Sequence, residues 1–331
     1  TDHEANEILY VNIIGPVGDG LTAAVARVTI TNDETDPNPD PGGDGKRVIG
    51  YFAEWGIYGR DFHVMDIPAE NLTHVVYAFA NISNSGEVTL YDSYAAVEKA
   101  YPGDTWDQEL RGNFNQLIKL KEQNPGLHTM IAVGGWTLSG KFSDVALTEA
   151  SREAFARSAV EFVVKYDFDG VDLDWEYPVA GGLSSNTYRP EDTQNYTLLV
   201  AELREQLDAQ GLIDGKNYEI SVASPAGYDK IANFDLAGMS QYVDWFNVMT
   251  YDYHGGWENT TNHQAALYGT SDDPSSLAAK YNVDYTIRLY LASGVAPDQI
   301  VMGVPLYERS WSGVGGEDGL YQSATGLGPG T

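Results

Sequence analysis

The chain has 331 residues, 43% of them hydrophobic and 12% aromatic, which is enough apolar side chain for a sizeable core and too much for a disordered segment. Its 48 acidic and 19 basic residues give a formal charge of -29, which opposes binding to nucleic acid or anionic membrane and suits a neutral ligand. With no cysteine, disulfides, thiol catalysis and Cys-ligated zinc are excluded, and no apolar run reaches the ~18 residues of a membrane span.

Residues 8–13 and 23–30 predict two strands around a turn at 15–20. Two strands alone are only marginally stable, so residues 1–34 read as the remnant of a larger β-sandwich. Residues 35–46 read as a linker. Pro37, Pro39 and Pro41 alternate there with polar residues before glycines take over, so the segment can neither pack nor form a ladder.

From residue 47 to 331 short apolar runs alternate with amphipathic stretches. Strands are expected at 48–52, 74–79, 129–134, 170–175, 219–224, 245–250 and 300–305. Helices are expected at 109–124, 148–166, 192–211, 233–241 and 277–294. Phe155, Ala159, Phe162 and Val163 recur at three and four residues, the spacing of a helix's buried stripe. The strands are nearly continuous apolar runs, as in a parallel sheet covered on both faces. Seven β units predict an α/β fold, a (β/α)8 TIM barrel. After Arg309 the chain turns glycine-rich, so the barrel is expected to be truncated after its seventh strand, with open strand edges.

The most informative stretch is 168–178. Asp172, Asp174 and Glu176 alternate with Val171, Leu173 and Trp175, and in a strand residues i, i+2 and i+4 share one face. Three like charges on one face repel each other, which a surface strand does not need and a catalytic cleft does. Other polar and aromatic residues also fall at strand ends, where barrel enzymes place their chemistry: Gly134-Gly135-Trp136, Met249-Thr250-Tyr251-Asp252 and Tyr307-Glu308-Arg309. Tyrosine and tryptophan stack on the apolar faces of sugar rings, so together these favour a sugar cleft. No phosphate-cradling loop appears, and the six histidines show no local metal-ligand spacing, so no metal and no cofactor are expected.

Spacing also bears on mechanism. Neighbouring acids on one strand face are roughly 6.5–7 Å apart at the backbone and approach from the same side. A retaining glycosidase with a protein nucleophile instead sets its two acids on opposite sides of the sugar, about 5–5.5 Å apart. Asp174 is thus badly placed to attack the anomeric carbon, which leaves substrate-assisted cleavage, in which the 2-acetamido oxygen of the sugar is the nucleophile.

Over residues 47–311 the chain resembles the glycoside hydrolase family 18 chitinases. Their hallmark Asp-x-x-Asp-x-Asp-x-Glu is present as Asp169, Asp172, Asp174 and Glu176, with Gly50-Tyr51-Phe52 and Met249 to Asp252 as further matches. The resemblance implies that Glu176 is the general acid and then base. Asp174 would hold the acetamido group and stabilise the oxazolinium intermediate, and Asp172 would tune Asp174. It implies that Tyr251 binds the acetamido oxygen, with Met249 and Asp252 beside it. Tyr307 and Arg309 would contact the sugar, Gly135, Trp136 and Trp257 would serve the leaving-group side, and Tyr51 and Tyr177 would pack beside the acids.

It also implies a secreted, extracellular monomer acting on chitin or chito-oligosaccharides, without nucleic acid or membrane partners. An endo-β-N-acetylglucosaminidase acting on glycoprotein glycans shares the motif. A chitin-binding barrel is disfavoured by the intact Glu176. Two departures stand out. Ala132 replaces the serine usual in the third-strand motif, so Asp172 is expected to lose a partner and the enzyme some rate, which Ala132→Ser would restore. No eighth strand is visible. Upstream, residues 26–34 resemble the last strand of a Calx-beta domain.

Overall fold

The computed structural model of the chain describes residues 6–12, 25–31, 46–316 and 319–329. Strands β1 (Asn6–Asn12) and β2 (Val25–Thr31) pair antiparallel, with Asn6 opposite Thr31. The expected turn at 15–20 and residues 35–45 of the expected linker lie outside the described residues.

The main sheet starts with β3 (Ile49–Ala53) and β4 (His74–Ile82), and the short β5 (Val88–Leu90) folds back antiparallel on the end of β4. It continues through β6 (His128–Gly134), β7 (Gly170–Asp174), β8 (Glu219–Pro225), β9 (Trp245–Met249) and β10 (Ile300–Met302). Apart from β5, every pairing is parallel and each strand lies beside the one before it in the chain. That winding is the (β/α)8 barrel's, and it brings all seven strand ends to one rim. A small antiparallel pair, β11 (Trp311–Ser312) with β12 (Gly326–Leu327), follows.

Helices α1 (Gly112–Gln123), α2 (Phe142–Ala146), α3 (Glu149–Tyr166), α4 (Asp192–Asp214), α5 (Tyr228–Ile231), α6 (Leu236–Met239) and α7 (Val283–Ala292) fill the connections. Helix α3 starts where the Thr148 hydroxyl accepts from the Ser151 N–H, and stops at Asp167 in the left-handed region. Its stripe of Phe155, Ala159, Phe162 and Val163 is buried against the outside of the sheet. Three expected elements differ from the structure. Of the helix at 233–241 only the short α6 forms, starting where the Asp235 side chain accepts from the Gly238 N–H, while α5 lies upstream of it. The helix at 277–294 begins only at Val283, because Asn282 caps it through the Tyr285 N–H. The strand at 300–305 ends at Met302, after which the Gly303 N–H still donates to the Val248 carbonyl.

The core has two parts at the sheet, and β7 shows why; a small third cluster of Ala226, Tyr253 and Val283 lies apart. Val171, Leu173 and Trp175 point outward into the main cluster, where Trp175 stacks on Phe142 at 5.4 Å and meets Tyr196 at 4.9 Å. Val76, Ala78, Met130, Ala132 and Trp245 form a separate cluster. Asp172, alternate in β7, lies on the opposite face to Val171 and Leu173 and is fully buried.

Candidate active site

Asp172 is opposite Ala132 of β6 on one side and Ser221 of β8 on the other. Ser221 Oγ donates to its Oδ1 at 2.6 Å and Asn247 Nδ2 to the same oxygen at 3.2 Å, while the Tyr51 hydroxyl donates to Oδ2 at 2.9 Å. Asn247 is held in turn by Trp245 Nε1, and also donates to the Tyr51 oxygen. The partner expected to be lost at Ala132 is therefore replaced from the other side, by a serine on the next strand. Burial still raises the Asp172 carboxyl above its usual value, against the lowering by Ser221, Tyr51 and Asn247.

Asp174 is buried two residues on, and its Oδ1 meets no hydrogen-bond partner in the protein. Burial first, then the charges of Glu176 and Asp172, push its carboxyl well up. Glu176 stands just past the strand end and is pushed up to about 7. Burial is the main cause; a hydrogen bond with Tyr177 opposes it and the charge of Asp252 adds to it.

The backbone under these acids is clamped from β6. Gly134 and Gly135 have φ of +109° and +85°, and the Gly135 N–H donates to the Asp174 carbonyl at 2.7 Å. A Cβ on Gly134 would lie 2.2 Å from that carbonyl oxygen, so glycine is required there. The fully buried Ser139 accepts from the Glu176 N–H at 2.9 Å and donates to Gly135 and Asp174 carbonyls, and Asn186 Nδ2 donates to the Glu176 carbonyl.

The other strand ends close the cleft. Tyr251 follows β9 beside Met249, its hydroxyl pushed up by burial and by the charges of Asp174 and Glu176. Its ring meets Tyr307 edge-on at 5.9 Å. Asp252 accepts from the Tyr307 hydroxyl at 2.7 Å and from Arg309 through Nε and Nη2, at 2.7 and 2.6 Å. The Arg309 guanidinium lies 5.2 Å over the ring of Trp257. Trp136 and Trp257 are both about half exposed. The structure thus gathers thirteen of the expected residues at or beside one rim. Asp169 is not among them: it precedes β7 at the other end, accepting from Lys121 and the Thr129 N–H.

Sequence reading missed Ser221, Asn247 and Ser139, which reach the acids only through pairing between strands far apart in the chain. Ser221 and Asn247 carried a usable signal, a polar residue inside a largely apolar strand. It also missed Trp55, half exposed and stacked on Phe79, the ring that backs Gly135.

The parallel barrel thus carries a raised carboxyl at one strand end with two buried carboxyls behind it. The model of the glycosyl hydrolases family 18 matches residues 47–327, and the chain belongs to that family. It is 44% identical over 320 residues to chitinase A1 of Niallia circulans, covering 86% of this chain and 45% of that protein. The solved chitinase ChiA74 from Bacillus thuringiensis superposes with a TM-score of 0.80 at 42% identity, over 84% of this chain and 51% of that one. The catalytic domain of the psychrophilic chitinase B from Arthrobacter TAD20 gives 0.82 at 35% identity, over 87% and 78%. The chain spans about half the length of the first two relatives.

Proposed function

We propose that the chain hydrolyses the β-1,4 bonds of chitin and N-acetyl-chito-oligosaccharides by a retaining, substrate-assisted mechanism. The observation that carries this is the state of Asp174, a buried carboxylate whose Oδ1 lacks a partner between a well-held Asp172 and a raised Glu176. A substrate acetamido N–H supplies the missing donor. Glu176, protonated near neutral pH, gives its proton to the leaving glycosidic oxygen as the acetamido oxygen attacks the anomeric carbon from the opposite side. Asp174 holds the acetamido nitrogen and offsets the positive charge of the oxazolinium ion. Tyr251 donates to the acetamido oxygen and orients it. Glu176, now a carboxylate, takes a proton from water, which opens the ring with net retention.

The tryptophans at the rim favour a polymer, because a regular chain of rings repays a line of stacking faces. A polymer too large to enter a cell makes the working place extracellular, and among the described residues no helix is long and apolar enough to cross a membrane. The enzyme acts as a monomer. Release of a fluorophore from a chitobiose glycoside tests the assignment. Glu176→Gln should lose about 10²–10⁴-fold in kcat, the range for a positioned general acid. Equal rates in variant and wild type would reject it.

A further inference from the structure

At the end of the barrel opposite the acids, three strands begin with metal-ligand residue types. His74 opens β4, His128 opens β6 and Glu219 opens β8. His74 and His128 are register partners, and Glu219 lies further round, paired with Gly170 of β7. Gly170 puts no side chain between them, and a Cβ there would lie 2.3 Å from the Glu219 carbonyl. Glu219 therefore reaches back across β7, bringing Oε2 to 2.9 Å from His128 Nδ1 and 3.2 Å from His74 Nε2. One ligand atom from each residue lies within 4.8 Å of the other two.

The surroundings orient this group. The buried Trp245 ring walls one side, edge-on to His74 at 4.9 Å. The His128 side chain is 47% exposed, which leaves an ion a way in. Thr73 Oγ1 donates to the Val48 carbonyl and accepts from the Val48 N–H, so toward His74 Nδ1, at 2.7 Å, it offers a lone pair. A neutral His74 then keeps its proton on Nδ1 and turns the Nε2 lone pair toward the Glu219 carboxylate. That contact is closed either by a proton on Nε2, as a histidine–glutamate ion pair, or by a metal ion that takes the proton's place between the two atoms. The nearby charges are already engaged: Lys121 by Asp169, Asp244 by Arg204, and Arg47 over the Trp245 ring.

We propose that His74 Nε2, His128 Nδ1 and the Glu219 carboxylate bind one divalent transition metal ion, with water completing the shell. Ligand atoms of a tetrahedral zinc site are about 3.4 Å apart for bonds of about 2.1 Å, so the two contacts to Glu219, at 2.9 and 3.2 Å, each need to open by about half an ångström or less. Imidazole with carboxylate suits zinc, and not magnesium or calcium, which take oxygen ligands. The ion would staple three strand starts, on the face of the barrel given over to stability rather than chemistry.

The test takes the chain freed of metal by a chelator and titrates it with zinc chloride by calorimetry and thermal melting. Cobalt chloride serves as a spectroscopic probe. One zinc per chain, a higher Tm with zinc but not magnesium, and a tetrahedral cobalt absorption band are expected. His128→Gln, at an exposed position, should weaken zinc binding at least about tenfold, and Glu219→Gln should do the same. Glu176→Gln should bind as wild type, which separates this site from the acids. No zinc-dependent rise in Tm, or unchanged affinity in both His128→Gln and Glu219→Gln, would overturn the proposal.

Discussion

In the proposed mechanism, protonation at Glu176 sets when the site works. The carboxyl is pushed up to about 7, so below that pH it holds the proton the leaving oxygen needs. As pH rises through about 7 that proton is lost, and kcat/KM should fall about tenfold per unit beyond. A pH-rate profile on a chitobiose glycoside checks this, and a flat profile to pH 9 would contradict it. Asp172 gives a second residue-scale prediction. Three donors already engage both its oxygens, so Ala132→Ser adds at most a fourth, on Oδ2, and should change kcat less than about twofold. Ser221→Ala removes a 2.6 Å bond to a buried carboxylate and should lower kcat about tenfold, with KM little changed. A large gain in Ala132→Ser would restore the simpler view that the chain lacks a needed serine.

Among the elements, the β6–β7 junction is the least tolerant. Gly134→Ala puts a Cβ at 2.2 Å from the Asp174 carbonyl at a φ of +109°, and should cost on the order of 2–4 kcal/mol in denaturant unfolding. An unchanged midpoint would show that the junction has slack. The elements were legible where one strand or helix carries its own pattern: all seven barrel strands stand within a few residues of the runs that predict them. Ends were less legible, because they depend on caps such as Asn282 and Asp235, whose partners lie three residues on and cannot be weighed against continued helix by periodicity. The acids were readable from alternation within β7. Of their holders only Tyr51 was expected, through the resemblance; Ser221 and Asn247 come from β8 and β9 and meet Asp172 only when the sheet curls. The histidine–glutamate group was hidden for the same reason: its members are drawn from three strands.

For the molecule as a whole, a formal charge of -29 on 331 residues is a self-repulsion that salt relieves. Raising ionic strength from about 0.01 M to 1 M shortens the screening length from about 30 Å to 3 Å and should raise Tm, whereas a Tm independent of sodium chloride would mean the acids are already paired. The acids at the rim act together at this scale too, since barrel winding is what turns a local pattern into a cleft. Their proposed use depends on a sugar that supplies its own nucleophile. The most direct measurement compares kcat/KM for a chitobiose glycoside with that for the matching cellobiose glycoside, following the first-formed anomer by NMR. The account predicts cleavage of the N-acetylated substrate with the β-anomer first, and negligible cleavage of the 2-hydroxy analogue. Comparable rates on both, or an α-anomer first, would contradict it.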